Sequence, residues 1–173
     1  QDKRKTSQEI FDSDQVFARD ALRIAIETEK RGVDFYRTAC ETVSRPSTKN
    51  TFKKMLSDER SHLAKLKREW DRLISKDKNL LEAPVFLHFD FEALERIFPS
   101  RREARKKLRG NLSEKDALEL AMTMEKEAFN FFKAYAEKFN DTRGRDIFVK
   151  FAAEEQEHYD AIKRAHDELA TDS

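Results

Sequence analysis

The sequence predicts an all-α fold: a four-helix bundle made of two copies of one helical hairpin, joined by a long crossover that carries a short helix. Three observations point there. Charged residues make up 40% of the 173 and apolar residues 38%, with only three Gly and three Pro. That composition suits long amphipathic helices and not a strand-and-turn protein. Apolar residues recur at spacings of three, four and seven, the signature of one helix face turned to a core. The chain also repeats itself: Glu29, Glu59 and His62 return as Glu125, Glu155 and His158 at a constant offset of 96 residues.

Residues 1–13 read as a polar tail and residues 14–170 as the helical domain. Gln1 in place of Met points to a processed or excised chain, with room for a neighbouring domain ahead of it. The first helix is expected from about Asp14 to Val43, with a stripe of Leu22, Ile26, Val33, Tyr36 and Cys40. Pro46 and Ser47 break the chain, and Ser47 or Thr48 is the expected cap of the second helix. Its face holds Phe52, Met55, Leu56, Leu63, Leu66, Trp70 and Leu73. So short a break makes the pair an antiparallel hairpin.

Residues 76–112 are the crossover. Asp90 can cap a short helix with Phe91, Leu94, Ile97 and Phe98, ended by Pro99. Arg101, Arg102, Arg105, Lys106, Lys107 and Arg109 then form a basic run that reads as a solvated face. Ser113 and Asp116 resemble a capping box opening the third helix, whose stripe is Leu118, Ala121, Met122, Glu125, Phe129 and Phe132. The fourth begins near Asp141 and buries Phe148, Phe151, Ala152, Glu155, His158, Ile162 and Leu169. The 96-residue register extends beyond the motifs, pairing Ala117, Leu118, Ala121, Phe131, Phe148, Lys150, Asp167 and Leu169 with identical residues in the first half.

Charge excludes several partners. Lys and Arg number 35 against 34 Asp and Glu, so no whole-molecule field draws the chain to nucleic acid or anionic membranes. No apolar run reaches the ~20 residues of a membrane span and no signal pattern is visible; a cytoplasmic location is expected. Cys40 is the single cysteine, which rules out intrachain disulfides and Cys-x-x-Cys metal sites. On its apolar stripe it reads as a small buried hydrophobe. His88 and His166 match no motif and read as structural.

Glu-x-x-His places carboxylate and imidazole one helical turn apart on one face. In a bundle, Glu29, Glu59, Glu125 and Glu155 converge near the axis, and unpaired buried carboxylates cost several kcal/mol each. Two divalent cations relieve that cost, with Glu29 and Glu125 as terminal ligands, Glu59 and Glu155 as bridges, and His62 and His158 one on each ion. Mixed oxygen and nitrogen ligands favour iron, with manganese as the other choice, over structural zinc. A metal-free bundle with buried polar residues is the bland counterpart. Asp58 and Glu154 either accept the second ring N–H of the histidine across the bundle or are plain surface carboxylates. Tyr36 either hydrogen-bonds a ligand carboxylate, relays an electron, or is an ordinary buried tyrosine.

With Glu29, the Asp-Glu-x-x-His of residues 58–62, Glu125 and the Glu-Glu-x-x-His of residues 154–158, the chain resembles the rubrerythrin family of ferritin-like proteins, in particular its rubredoxin-lacking branch. The resemblance implies a ferritin-like four-helix bundle, a non-haem di-iron centre, frequent homodimers and usually peroxide reduction. It departs from the family pattern at His158, where Glu is usual, and at Met122, where an extra carboxylate is usual. The site is thereby more symmetric, as in bacterioferritins. One cysteine cannot build the family's electron-feeding rubredoxin domain, so an external donor, rubredoxin-like or a flavin reductase, is implied. The leading expectation is a di-iron oxidoreductase acting on hydrogen peroxide or dioxygen. A ferroxidase or iron-handling protein, and a metal-stabilised interaction or sensor module, are its rivals.

Overall fold

The computed structural model describes residues 12–85, 106, 108 and 113–171. Four long helices dominate: α1 (Ser13–Thr42), α2 (Pro46–Lys76), α3 (Glu114–Ala136) and α4 (Thr142–Thr171). No strand occurs among the described residues, and no helix among them is long and apolar enough to cross a membrane. The expected short helix after Asp90, His88, most of the basic run and the N-terminal tail lie outside the described residues.

Each helix starts where local chemistry permits. Asp12 caps α1 by accepting from the Asp14 N–H at 2.9 Å. Ser113 and Asp116 form the expected capping box on α3, each side chain accepting from the other's backbone N–H. Asp141 accepts from the Gly144 and Arg143 amides and opens α4. The start of α2 differs from expectation: neither Ser47 nor Thr48 is the cap. Pro46 occupies the first turn, where its fixed φ is already helical and its missing N–H costs nothing. The loop amides of Ser44 and Arg45 are taken instead by Glu114 from the start of α3, whose other oxygen accepts from Thr48 Oγ1.

The helices pack chiefly as two hairpins, α1 with α2 and α3 with α4, which meet mainly through α2 and α4. Phe35, Phe52, Met55, Leu66, Leu118, Phe132 and Phe148 are sealed in the shared core. Phe132 touches both Phe148 and Phe151, at ring separations of 5.6 and 5.5 Å. In α3 the buried face is Leu118, Ala121, Met124, Glu125, Ala128, Phe131 and Phe132, while the expected Met122 and Phe129 are half-buried. The buried face thus takes in the 124/128/131 flank rather than Met122 and Phe129.

After α2 a 3-10 turn (Lys78–Leu81) folds back on α1, held by a buried arginine. Arg19 donates to the carbonyls of Leu80, Ala83 and Pro84 and pairs with Asp20 at 2.7 Å. The chain thus leaves the first hairpin beside the beginning of α1 and re-enters at Ser113, next to the α1–α2 turn. Those points are opposite ends of the bundle, which is why a long connection is required.

The α3–α4 turn is tight against Phe139. A Cβ added at Gly144 would lie 2.4 Å from two carbons of that ring, and the ring is itself wedged against Phe17 and Phe148 at 4.7 and 4.9 Å. Gly144→Ala is therefore expected to destabilise the protein by about 1–3 kcal/mol through overpacking. Denaturant unfolding of the variant checks this; an unchanged midpoint would show that the turn gives way freely.

Candidate metal centre

Halfway along the bundle, Glu29 (α1), Glu59 and His62 (α2), Glu125 (α3), and Glu155 and His158 (α4) converge, each at most 4% exposed. All six sequence-predicted residues are brought together. They fall into two groups of four whose ligand atoms lie within 4.8 Å of one another: Glu29, Glu59, His62 and Glu155, and Glu59, Glu125, Glu155 and His158. Glu59 and Glu155 belong to both. The pattern follows from placement: each hairpin contributes one lone Glu and one Glu-x-x-His helix.

His62 Nδ1 lies 3.5 Å from Glu29 Oε2, 3.4 Å from Glu59 Oε2 and 3.5 Å from Glu155 Oε1. His158 Nδ1 lies 3.5 Å from Glu125 Oε2, 3.7 Å from Glu59 Oε1 and 3.9 Å from Glu155 Oε2. None of these atoms has a hydrogen-bond partner. Orphaned buried atoms of this kind are rare and call for an explanation. Two ligand atoms each about 2.1 Å from one ion, at octahedral to tetrahedral angles, stand roughly 3.0–3.4 Å apart. The shorter separations here sit at the top of that range, so the donor set fits a metal site.

The outward nitrogens are also provided for, from the opposite hairpin. Glu154 Oε2 lies 3.0 Å from His62 Nε2, and Asp58 Oδ2 lies 3.4 Å from His158 Nε2. The Glu154 oxygen is close but off the line of the ring N–H, since it makes no formed hydrogen bond. These carboxylates face the second ring nitrogens across the bundle, and both Nδ1 atoms face inward. The imidazoles stack at 5.4 Å and 15°, with Phe151 edge-on to His62 at 5.0 Å. Of the three roles open to Tyr36, the structure provides the hydrogen bond: its hydroxyl, fully buried, donates to Glu125 Oε1. The repeat places Phe132 at that position, so no equivalent donor serves Glu29.

Outside the histidines a polar cavity of about 240 Å³ is lined by Lys54, Asp58, Ser61, Lys65, Glu154 and Glu157. Lys54 pairs with Asp58 at 3.0 Å and Lys65 approaches Glu154 at 3.6 Å. Lys54 and Asp58 have helix-neighbour spacing, which the sequence makes legible; Lys65 and Glu154 sit on different helices, and no spacing rule pairs them. Cys40 is buried and its thiol is pushed up by desolvation, in keeping with a small hydrophobe. His166 lies outside the cluster, bridging to Glu119 of α3 at 3.0 Å.

Electrostatics show how crowded the acids are. Burial, then the Glu59 charge, holds Glu29 well above the usual carboxylate value. Burial, then Glu59 and Glu125, does the same to Glu155. Burial also opposes ionisation of Glu59, but the close approach of the Glu29 carboxyl and of the His62 and His158 imidazoles outweighs it and holds that group low. For His62, burial pulls the value down, yet contacts with Glu155 and Glu59 raise it to about 10. His158 is raised by Glu125 against the pull of burial. These directions favour proton binding at Glu29, Glu155 and both imidazoles in the absence of cations.

A four-helix bundle with Glu and Glu-x-x-His side chains meeting on its axis is the architecture of ferritin-like proteins. Residues 116–173, spanning most of α3 and all of α4, match the model of the rubrerythrin family, in agreement with the resemblance carried by the motifs. Comparison with curated proteins and with solved structures gives no match.

Because His62 rises from 6.5 to about 10 on folding, and Glu29 and Glu155 rise from 4.5, the folded metal-free chain binds more protons than the unfolded chain between those limits. Its stability should fall as pH rises through that window. Glu59, held low, acts in the opposite sense and only at acid pH. Thermal unfolding of chelator-treated protein from about pH 6 to pH 9 should show a declining midpoint, and saturating Mn²⁺ should flatten or reverse the trend by displacing protons. A midpoint that climbs with pH in the metal-free protein would contradict the proton-bound cluster.

Proposed function

We propose that this chain is a non-haem di-iron oxidoreductase acting on hydrogen peroxide or dioxygen. The observation that carries the reading is the pair of four-residue groups sharing Glu59 and Glu155, with eight of their buried donor atoms unpartnered. Glu29 and His62 would hold one iron, Glu125 and His158 the other, and Glu59 and Glu155 would bridge them. Manganese suits the same donors. Two bound ferrous ions supply a pair of electrons for reductive cleavage of an O–O bond, which with two protons turns peroxide into two waters.

The chain's own residues do the rest. Glu154 and Asp58 fix the imidazole orientation so that Nδ1 faces the centre. Tyr36 ties up Glu125 Oε1 and leaves Oε2 directed inward. Phe151, Phe52 and Phe132 keep bulk water from the interior side, where stray reactions of a reduced centre would occur. The polar cavity above the histidines is the approach for peroxide and for protons, its lysines offsetting the negative field of the cluster. An external donor returns the electrons.

A ferroxidase is the second reading, favoured by His158 and Met122, which give the site the symmetric ligand set of iron-oxidising relatives. The same experiment separates the two. Anaerobic titration should load two Fe²⁺ per chain, and stopped-flow mixing should show peroxide oxidising them faster than dioxygen does. Faster oxidation by dioxygen, with many Fe turned over per chain, would favour the ferroxidase; inertness to both would sink either. Glu59→Gln is expected to weaken metal binding by roughly tenfold or more, since one side chain serves both positions.

A further inference from the structure

Gly32 sits in the interior of α1, one turn after Glu29 and on the same buried face. Glycine there costs ~0.8–1.0 kcal/mol of helix propensity relative to alanine, so its place needs a cause. A Cβ at Gly32 would stand 3.3 Å from Glu59 Cδ and 3.5 Å from Glu59 Oε1. Packing of the hairpin does not by itself demand a bare backbone. The 96-residue register puts Ala128 at the same place in the second hairpin, where a methyl group is accepted in full burial.

We infer that Gly32 is a positioning residue for the metal centre: the missing side chain is the seat of the Glu59 carboxylate. The inference rests on the metal-centre reading above. With alanine at this position Glu59 would have to retreat by a few tenths of an ångström, whereas metal–ligand distances are held to within about 0.2 Å. Glu59 stands in both four-residue groups, so the displacement is felt at both positions. The repeat is unequal at this place: Glu59 lies against bare helix backbone, and the position that answers to Gly32 in the second hairpin carries a methyl.

The test compares Gly32→Ala with the parent, titrating each anaerobically with Co²⁺ and following its visible absorption, alongside thermal unfolding of the metal-free forms. The metal-free variant is expected to unfold at or above the parent's temperature, as the gain in helix propensity predicts. Its Co²⁺ affinity is expected to fall by roughly tenfold to a hundredfold, with an altered absorption spectrum. Adding Glu59→Asp, which withdraws the carboxylate from the new methyl, should restore part of the affinity, so that the double variant binds better than the separate effects combined predict. Affinity within about twofold of the parent and an unchanged spectrum would overturn the inference. If Gly32→Ala misfolds, recovery of the fold on adding Glu59→Asp supports the inference, and failure to recover it overturns it. A parent that takes up no Co²⁺ defeats the metal-centre reading itself; a parent that binds it, with a variant indistinguishable from it, defeats only the role of Gly32.

Discussion

Four carboxylates and two imidazoles sealed inside an apolar bundle set the terms for everything around them. Removing such groups from water costs several kcal/mol apiece unless opposite charge or hydrogen bonds replace the lost hydration. The surrounding core side chains, mostly Phe, Met and Leu, offer neither, and Tyr36 supplies a hydrogen bond to Glu125 alone. The cluster must therefore satisfy itself, through protons shared among its members or through cations. The raised values of Glu29, Glu155, His62 and His158 express the first solution. The unpartnered inward atoms fit the second.

Neither hairpin can complete the cluster alone. His62 belongs to the first but has Glu154 of the second beside its outer nitrogen, and His158 has Asp58 of the first. Tyr36 reaches across to Glu125. The hairpins touch each other far less than their own helices do, and these central approaches add to the apolar core that the two share. The site is complete only when the hairpins are docked, so a group that binds there stabilises the docked state.

The symmetry of the repeat is real in register and broken in detail. Tyr36 answers to Phe132 and Gly32 to Ala128, so the hydroxyl that meets Glu125 and the bare backbone that meets Glu59 are not repeated at the corresponding positions of the other hairpin. A centre built from a duplicated hairpin can in this way hold two positions with the same donor types and unequal surroundings.

The sequence alone determined the all-α class, the four long helices and the six converging side chains, and it left Asp58 and Glu154 open between facing the histidines and lying on the surface, a choice the structure made. The class, the helices and the six side chains are legible because helical periodicity is local and because a repeat shows twice which polar residues sit on apolar stripes. Other features rest on contacts between distant segments, which no spacing rule encodes. The arginine clamp from Arg19 to Leu80, Ala83 and Pro84, the capture of the Ser44 and Arg45 amides by Glu114, and the inward turn of the Met124 and Phe131 flank are of this kind. So is the seat of Glu59 at Gly32, where the informative feature is a missing side chain. Only tertiary structure decides such things, because they depend on how far apart two backbones come to rest.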